Sequence, residues 1–374
     1  MAIKSCASTE GTARYRERFQ TTAAADHFRR VQGIWLSSIG TGTYLGNWDE
    51  ATDQLYTEAV ARAVELGANV IDTAANYRFQ RSERSIGAAL KQLTDANVCA
   101  RDEVVICTKG GYLPFDGEPP ADVRRYVEET FVRPGIAQLS DIAAGSHCMT
   151  PAYLRNQLEQ SLGNMGIECV DVYYIHNPES QLAAVSRAEF ERRLHAAFEQ
   201  LESARADGSI RFYGAATWNG FRVAANARDY LSLERMIELA REAGGPEHGF
   251  RFIQLPFNLA MPEALVSDNQ PLAGAHVSML EAARALGVTV VASASILQGK
   301  VAHNLPEMIR KPLGSLPTDA QTAIQFVRST PGVTTALVGM SHRAHVEENL
   351  QLVRVPPATP EDYRRLFPSQ AKGE

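Results

Sequence analysis

Four side chains in this sequence could do acid–base chemistry if the fold brought them together: Asp72, Tyr77, Lys109 and His176. A tyrosine phenol has an ordinary pKa of about 10, too high to serve well at neutral pH. A neighbouring ammonium favours the phenolate and lowers that value, and a carboxylate behind the ammonium keeps it charged and aimed. Lys109 and Asp72 suit those parts. His176 could hydrogen-bond a substrate oxygen and fix its place. Together they would make a proton donor and an oxyanion clamp for a carbonyl group. The set supplies neither a covalent nucleophile nor a metal cluster, so its natural partner reaction is hydride delivery, which needs a cofactor.

Taken singly, each residue has an ordinary reading. Asp72 could cap a helix, Lys109 sit solvated in a loop, His176 lie satisfied in the core beside Pro178, and Tyr77 simply pack. What joins them is their place at strand ends. Tyr56 to Leu66 carries apolar residues at helical spacing, Gly67 stops it, and Val70-Ile71 is a β-branched strand closed by Asp72. Tyr77 follows in a loop closed by Arg81, Ser82 and Glu83. Ser82 to Leu93 reads as a helix with Ser82 as N-cap. Val104 to Thr108 is a strand ending on Lys109, and Val170 to Ile175 a strand ending on His176. Neighbouring parallel strands lie roughly 5 Å apart, so these ends can converge.

The alternation runs on. Helices are expected over 151–165, 187–206, 231–243, 279–286, 318–328 and 344–352, with glycine stops at Gly166, Gly208, Gly244 and Gly287. Strands are expected over 210–215, 252–255, 288–292 and 335–338, and His27 to Gly33 forms a hairpin arm before a first barrel strand at Ile34 to Ile39. About eight strands alternating with helices, without a linker, predict an α/β fold: a single (β/α)8 TIM barrel over 27–355 with a short N-terminal hairpin. A doubly wound sheet is the rival, and usually needs fewer units. Residues 1–26 read as a loosely held tail and 356–374 as a C-terminal tail. Two long segments, 110–150 and 256–277, each start just after a strand. In a barrel they would overhang the C-terminal, catalytic face as substrate loops.

Gly40-Thr41-Gly42-Thr43-Tyr44-Leu45-Gly46 nearly spells a dinucleotide phosphate loop, with Asp72 further on. That reading is the weaker one, because Asn47 to Glu50 intervene before any helix and bulky Tyr44 stands where backbone must approach a pyrophosphate. A formal charge of -6 and the absence of a Lys/Arg run argue against nucleic-acid binding. No apolar run reaches the roughly 18 residues of a membrane span. Five cysteines with no C-x-x-C pair fit reduced thiols, so the chain reads as soluble and cytoplasmic.

From about Gly33 to Leu352 the chain resembles the aldo-keto reductase family. Gly42-Thr43-Tyr44 matches the family's first cofactor loop, and Val70-Ile71-Asp72-Thr73-Ala74 with Tyr77 and Ser82-Glu83 its Asp–Tyr segment. Thr108-Lys109 matches the lysine strand, and Asp171 to Pro178 (Asp-Val-Tyr-Tyr-Ile-His-Asn-Pro) the histidine one. Gly339-Met340-Ser341 and Val346-Glu347-Glu348-Asn349 resemble the closing cofactor segment. The resemblance implies NAD(P)H-dependent reduction of an aldehyde or ketone, with Tyr77 as general acid and Asp72, Lys109 and His176 completing a tetrad. It implies NADP(H) in preference to NAD(H). The cofactor would be held by Gly42, Thr43, Tyr44, Asp72, Thr217, Gln254 and Ser293, by Gln298, Gly299 and Lys300, and by Gly339, Ser341, His345, Glu348 and Asn349. Tyr44, His147 and Trp218 are the candidates for contact with a small carbonyl substrate. Three positions depart from the family pattern: Gly214-Ala215-Ala216-Thr217 stands for Gly-Val-Ser-Asn, Ser293 for an aromatic, and His345 for an arginine. Those departures leave two alternatives open. One is a cofactor-sensing binding subunit, as in the similar potassium-channel β-subunits, and the other a redox-neutral lyase or epimerase using bound NAD(P).

Overall fold

The computed structural model describes residues 5–367 of the 374. Its strands, in chain order, are β1 Phe28–Val31, β2 Ile34–Ser37, β3 Ile39–Gly42, β4 Val70–Asp72, β5 Val105–Gly110 and β6 Val170–His176, then β7 Ile210–Ala216, β8 Phe250–Pro256, β9 Gln270–Leu272, β10 Ala275–Val277, β11 Thr289–Ser293 and β12 Val333–Gly339. The helices are α1 Thr9–Arg18, α2 Glu50–Glu65, α3 Arg81–Asp95, α4 Val123–Val127, α5 Pro151–Met165, α6 Arg187–Ala206 and α7 Leu233–Gly244, then α8 Glu263–Val266, α9 Met279–Ala285, α10 Glu307–Arg310, α11 Asp319–Ser329, α12 Arg343–Asn349 and α13 Pro360–Arg364. Eight strands close a parallel barrel in the order β11-β12-β3-β4-β5-β6-β7-β8.

Strand phase decides which side chains reach the lumen. Successive residues of a strand face opposite sides, so each barrel strand splits between the interior and the helix layer. Val70, Val105, Cys107, Val172, Tyr174, Phe252, Val291 and Leu337 form one buried cluster, the barrel's interior. Ile71, Ile106, Tyr173, Ile175 and Ile253 belong instead to the larger cluster packed under the helices. Continuing the interior phase by two residues from Val70, Cys107, Tyr174 and Phe252 gives Asp72, Lys109, His176 and Gln254. Apolar side chains thus fill the barrel to its last layer, and polar ones top it.

The hairpin runs one element further than expected, taking in the segment assigned to the first barrel strand. Ile34–Ser37 pairs antiparallel with Phe28–Val31, and its Ile34 and Leu36 close the interior cluster from below. The first barrel strand is Ile39–Gly42. Its glycines hid it from a propensity reading, and one is required: a Cβ on Gly40 would meet Val70 O and Leu337 at 2.9 Å.

The N-terminal segment, expected to be loose, is a packed helix. Ser8 caps α1 by accepting from Gly11 N, Tyr15 is fully buried, and its hydroxyl donates to Val64 O at 2.5 Å. Arg14 pairs with Asp102 at 2.8 Å, and Arg18 pairs with Glu103. The residues that made the stretch look solvated find charged partners on the Arg101–Glu103 turn. The described part of the C-terminal stretch also departs from a tail: Tyr363 of α13 is buried, its hydroxyl 2.6 Å from Thr330 Oγ1. A further correction concerns the thiols. Cys6 and Cys169 are joined, their Cα atoms 5.4 Å apart, while Cys99, Cys107 and Cys148 are free and buried. A sequence separation of 163 gave no hint of the pair. Instead of five reduced thiols the chain carries three and one bonded pair.

Both long segments carry structure of their own. Residues 110–150 contain α4, and their Val127, Phe131, Ala137 and Cys148 form a small core with Tyr153 of α5. Residues 256–277 contain α8 and the β9–β10 hairpin, pinned to the segment after β7 by Arg222–Glu263 at 2.7 Å and Tyr230 to Asn269 O at 2.8 Å.

Candidate active site

The structure brings the four strand-end groups together. Lys109 Nζ donates to Asp72 Oδ2 and to Thr73 O, both at 2.7 Å. From across the barrel, Gln254 Nε2 donates to Asp72 Oδ1 at 2.7 Å. The Lys109 ammonium lies 4.9 Å from the centroid of the Tyr77 ring. Tyr77 meets His176 edge to face, ring centres 5.8 Å apart at 78°.

Burial and charge set the protonation states. Burial pushes the Asp72 carboxyl up, while Lys109 and Gln254 pull it back. Burial pushes the Lys109 ammonium down, but Asp72 and Tyr77 outweigh it and its pKa is raised. With both carboxylate oxygens accepting from N–H donors, the arrangement is that of an ion pair. His176 is lowered well below the usual imidazole value by burial, then by Lys109 and His147, so its ring is neutral at pH 7. The Tyr77 phenol goes the other way from the sequence expectation. Burial raises it, and the opposing pull of Lys109 does not fully compensate. The phenol therefore holds its proton at neutral pH.

Tyr77 stands on a strained turn. Arg78, Phe79 and Gln80 have φ of 48°, 56° and 69°, left-handed values that non-glycine residues rarely take. Arg78 holds the turn with Nη2 to Asp53 Oδ1 at 2.5 Å and Nε to Asn47 O at 2.7 Å. Gln80 Nε2 donates to Phe115 O at 2.9 Å, reaching into the 110–150 segment. Gln80 is also the residue preceding α3, while Ser82, expected as N-cap, donates its hydroxyl to Thr43 O at 2.7 Å. Neither Arg78 nor Gln80 carried a sequence signal.

The remaining candidates divide. Gly42 lies beside Asp72 in the strand register, and Thr43 Oγ1 donates to Asp72 O at 3.2 Å. Tyr44 is exposed at the mouth, its ring 5.0 Å from Tyr77. Thr217 follows β7 and Gln254 lies near the end of neighbouring β8, Thr217 N donating to Gln254 O at 2.9 Å, and the buried Thr217 hydroxyl has no partner among the described residues. Ser293 ends β11, with exposed Gln298 and Lys300 and the half-buried Gly299 in the turn after it. Gly339 ends β12, followed by half-buried Ser341 and exposed His345. Asn349 is buried with Oδ1 unpartnered, and Glu348 accepts through its backbone from Gln321 at 2.7 Å. Trp218 is exposed and borders a cleft of about 400 Å³ lined by Tyr112, Asn177, Glu179 and Ser180.

His147 is a correction. Proposed as a substrate contact, it is fully buried with both ring nitrogens bonded, so it has no atom left to offer a ligand. Tyr112, which sequence reasoning passed over, packs edge-on against His176 with ring centres 5.1 Å apart. Among the described residues no group of three or more His, Cys, Asp or Glu could hold a metal, and no helix is long and apolar enough to cross a membrane.

The family profile described as "Aldo/keto reductase family" matches residues 38–367, which takes in all eight barrel strands. The chain belongs to the aldo/keto reductase family. It is 29% identical over 211 residues to the NADH-specific methylglyoxal reductase of Escherichia coli strain K12, spanning 53% of this chain and 52% of that protein. It is 27% identical over 198 residues to the D-threo-aldose 1-dehydrogenase of a Pseudomonas species, spanning 49% and 50%. The chain thus spans about half the length of these two relatives. A putative voltage-gated potassium channel subunit beta of Schizosaccharomyces pombe is 24% identical over 366 residues, 93% of this chain and 94% of that one. Among solved structures, an aldo/keto reductase from Klebsiella pneumoniae in complex with NADP and acetate superposes with a TM-score of 0.61 at 19% identity, covering 94% and 98% of the two chains. At that identity the likeness carries the (β/α)8 fold alone.

Proposed function

We propose that this aldo/keto reductase family member reduces an aldehyde or ketone to the alcohol, with NAD(P)H as reductant. The observation that carries the reading is the convergence of Tyr77, His176 and the Lys109–Asp72 ion pair at one barrel mouth. A nicotinamide bound there would supply the hydride. Neutral His176 offers an N–H to the carbonyl oxygen and polarises it. Tyr77 gives up its proton as charge develops on that oxygen. An alkoxide is far more basic than even a phenol of raised pKa, so the transfer runs downhill. Lys109, held by Asp72, stabilises the phenolate left behind.

The residues present suit a nicotinamide cofactor. Among the described residues Thr217 offers a buried, unpartnered hydroxyl, and Gln254 donates through its nitrogen to Asp72, with no hydrogen bond to its amide oxygen from those residues. Both match a carboxamide's donors and acceptors. Gly42, Thr43, Tyr44, Ser293, Gln298, Gly299 and Lys300 would flank the nicotinamide and pyrophosphate, and Gly339, Ser341, His345, Glu348 and Asn349 the adenosine end. NADP(H) is the proposed form: Klebsiella pneumoniae family structures contain NADP or NADPH, although the Escherichia coli relative is NADH-specific.

The test is steady-state oxidation of NADPH and of NADH against a panel of aldehydes, ketones and keto sugars. A second reading, a cofactor-sensing binding subunit, draws support from the nearly full-length match to a putative channel β-subunit. Tight coenzyme binding without turnover of any carbonyl would favour it.

A further inference from the structure

We propose that His147 is a positioning residue for this reaction. With Gln181 and Arg193 it fixes the backbone of His176, so that the segment between β5 and α5 sets the aim of the catalytic histidine. The inference rests on the reductase reading above.

The hydrogen-bond chain admits one arrangement. His147 Nε2 lies 2.7 Å from His176 O, and a carbonyl can only accept, so Nε2 carries the proton. Nδ1 is then bare and accepts from Gln181 Nε2 at 2.9 Å. The same amide nitrogen donates its second hydrogen to His147 O at 2.9 Å. Gln181 Oε1 in turn accepts from Arg193 Nη1 at 2.7 Å, which fixes the amide's orientation. Burial lowers the His147 imidazole to about 4, in keeping with a neutral ring that needs one donor and one acceptor.

The chain backbone is shaped to admit this contact. Gly111 has φ +144°, and a Cβ there would lie 2.8 Å from His147 Nε2 and 3.0 Å from His176 O. Only a residue without a side chain lets the imidazole reach that carbonyl. The same two histidines bracket Tyr112, with ring centres 5.2 Å and 5.1 Å away and both crossings nearly perpendicular.

Such support matters because the His176 ring lacks it elsewhere. Its Nδ1 is buried and has no hydrogen-bond partner among the described residues. The ring's aim therefore comes from its own backbone and from edge-on contacts with Tyr112 and Tyr77. His147 adds to the hold on the backbone and on Tyr112. It donates to the His176 carbonyl, beside the pairing of His176 with Ala216 of β7, and packs against Tyr112, whose hydroxyl also lies 3.0 Å from Ser180 Oγ. A catalytic group displaced by about 1 Å can lose roughly 100-fold in rate, so this indirect hold has kinetic weight.

The test compares wild type with His147→Leu and His147→Gln in the full chain, after carbonyl turnover by the wild type has been measured. Leucine removes both bonds, whereas glutamine keeps an amide N–H for the His176 carbonyl. Expected are a kcat about 10–100-fold lower for His147→Leu, an unchanged coenzyme dissociation constant, and recovery of most of that loss in His147→Gln. Wild-type kcat in His147→Leu overturns the proposal, as does equal impairment of both variants at equal melting temperature. Should the leucine variant not fold, nitrogen-15 NMR of the wild type decides. A neutral Nε2–H tautomer at about pH 6 supports the arrangement, and an imidazolium or an Nδ1–H tautomer overturns it. An inactive wild type removes the reductase reading and this one with it, whereas loss confined to the variants separates the two.

Discussion

Gln254 and Asp72 face each other across the barrel mouth and share a hydrogen bond of 2.7 Å, although β8 and β4 stand at opposite points of the eight-strand ring. The carboxylate that restrains Lys109 is therefore held from two sides at once. Removing the Gln254 donor leaves a buried carboxylate oxygen bare, which costs about 1–3 kcal/mol. Gln254→Leu should lower stability by that amount in urea unfolding. It should also weaken coenzyme binding in a fluorescence titration. A variant with unchanged stability would show that water replaces the amide.

Among the described residues Tyr77 is the only phenol whose ring meets both the Lys109 ammonium and the His176 ring. Tyr77→Phe keeps the ring and both contacts and removes the proton. Since a positioned acid contributes about 100- to 10,000-fold, kcat should fall by at least the lower figure. Coenzyme affinity should stay near wild type. Full activity in this variant would take Tyr77 out of the mechanism.

Much of this site was legible because barrel phase is legible. Val70, Val105 and Val172 are β-branched and two or four residues before Asp72, Lys109 and His176, so alternation alone sends those polar groups to the lumen. Helix ends were equally open where the chemistry is local. Pro151 begins α5 and left-handed Gly166 ends it, as pattern reading expected. What stayed hidden depends on tertiary partners. Tyr15 organises α1 by reaching Val64 O, and no periodicity announces a single buried aromatic in a polar run. The strained Arg78–Gln80 turn is imposed by Asp53 and Phe115, far off in sequence. His147 sits in a Gly-rich loop where a surface reading is natural, and only the coordinates reveal its two bonds.

The Lys109–Asp72 pair is buried, both side chains at 6% exposure or less, so solvent screens it little. Removing one member strands a charge, which typically costs about 3–5 kcal/mol. Asp72→Leu and Lys109→Met should each destabilise on that scale. The double variant should cost clearly less than the sum, because neither charge is left alone. Strict additivity in a double-mutant cycle would contradict the ion pair.

Acid should weaken the fold before most carboxylates titrate. Burial lowers the His27 imidazole to about 3 and the His147 imidazole to about 4, from 6.5. Both are neutral in the folded chain. Below about pH 6.5 the unfolded chain takes up protons at these positions and the folded chain does not, so stability declines as pH falls toward the folded values. Calorimetry should give a Tm that drops between pH 7 and about pH 4.5. In His27→Gln that slope should be shallower. A Tm flat across the window would mean that neither ring is held neutral.

Because α1 packs under the barrel, its loss should be felt globally. Tyr15 is fully buried, lies 5.2 Å from the Phe19 ring and 5.9 Å from the Phe28 ring, and donates to Val64 O in α2. Truncating a buried aromatic costs about 3–5 kcal/mol. Tyr15→Ala should therefore destabilise the whole barrel in urea, with a single cooperative transition. Tyr15→Phe, which keeps the packing and drops the hydroxyl, should lose only the hydrogen-bond share, about 1 kcal/mol. An alanine variant with wild-type stability would return residues 5–26 to the status of a loosely held tail.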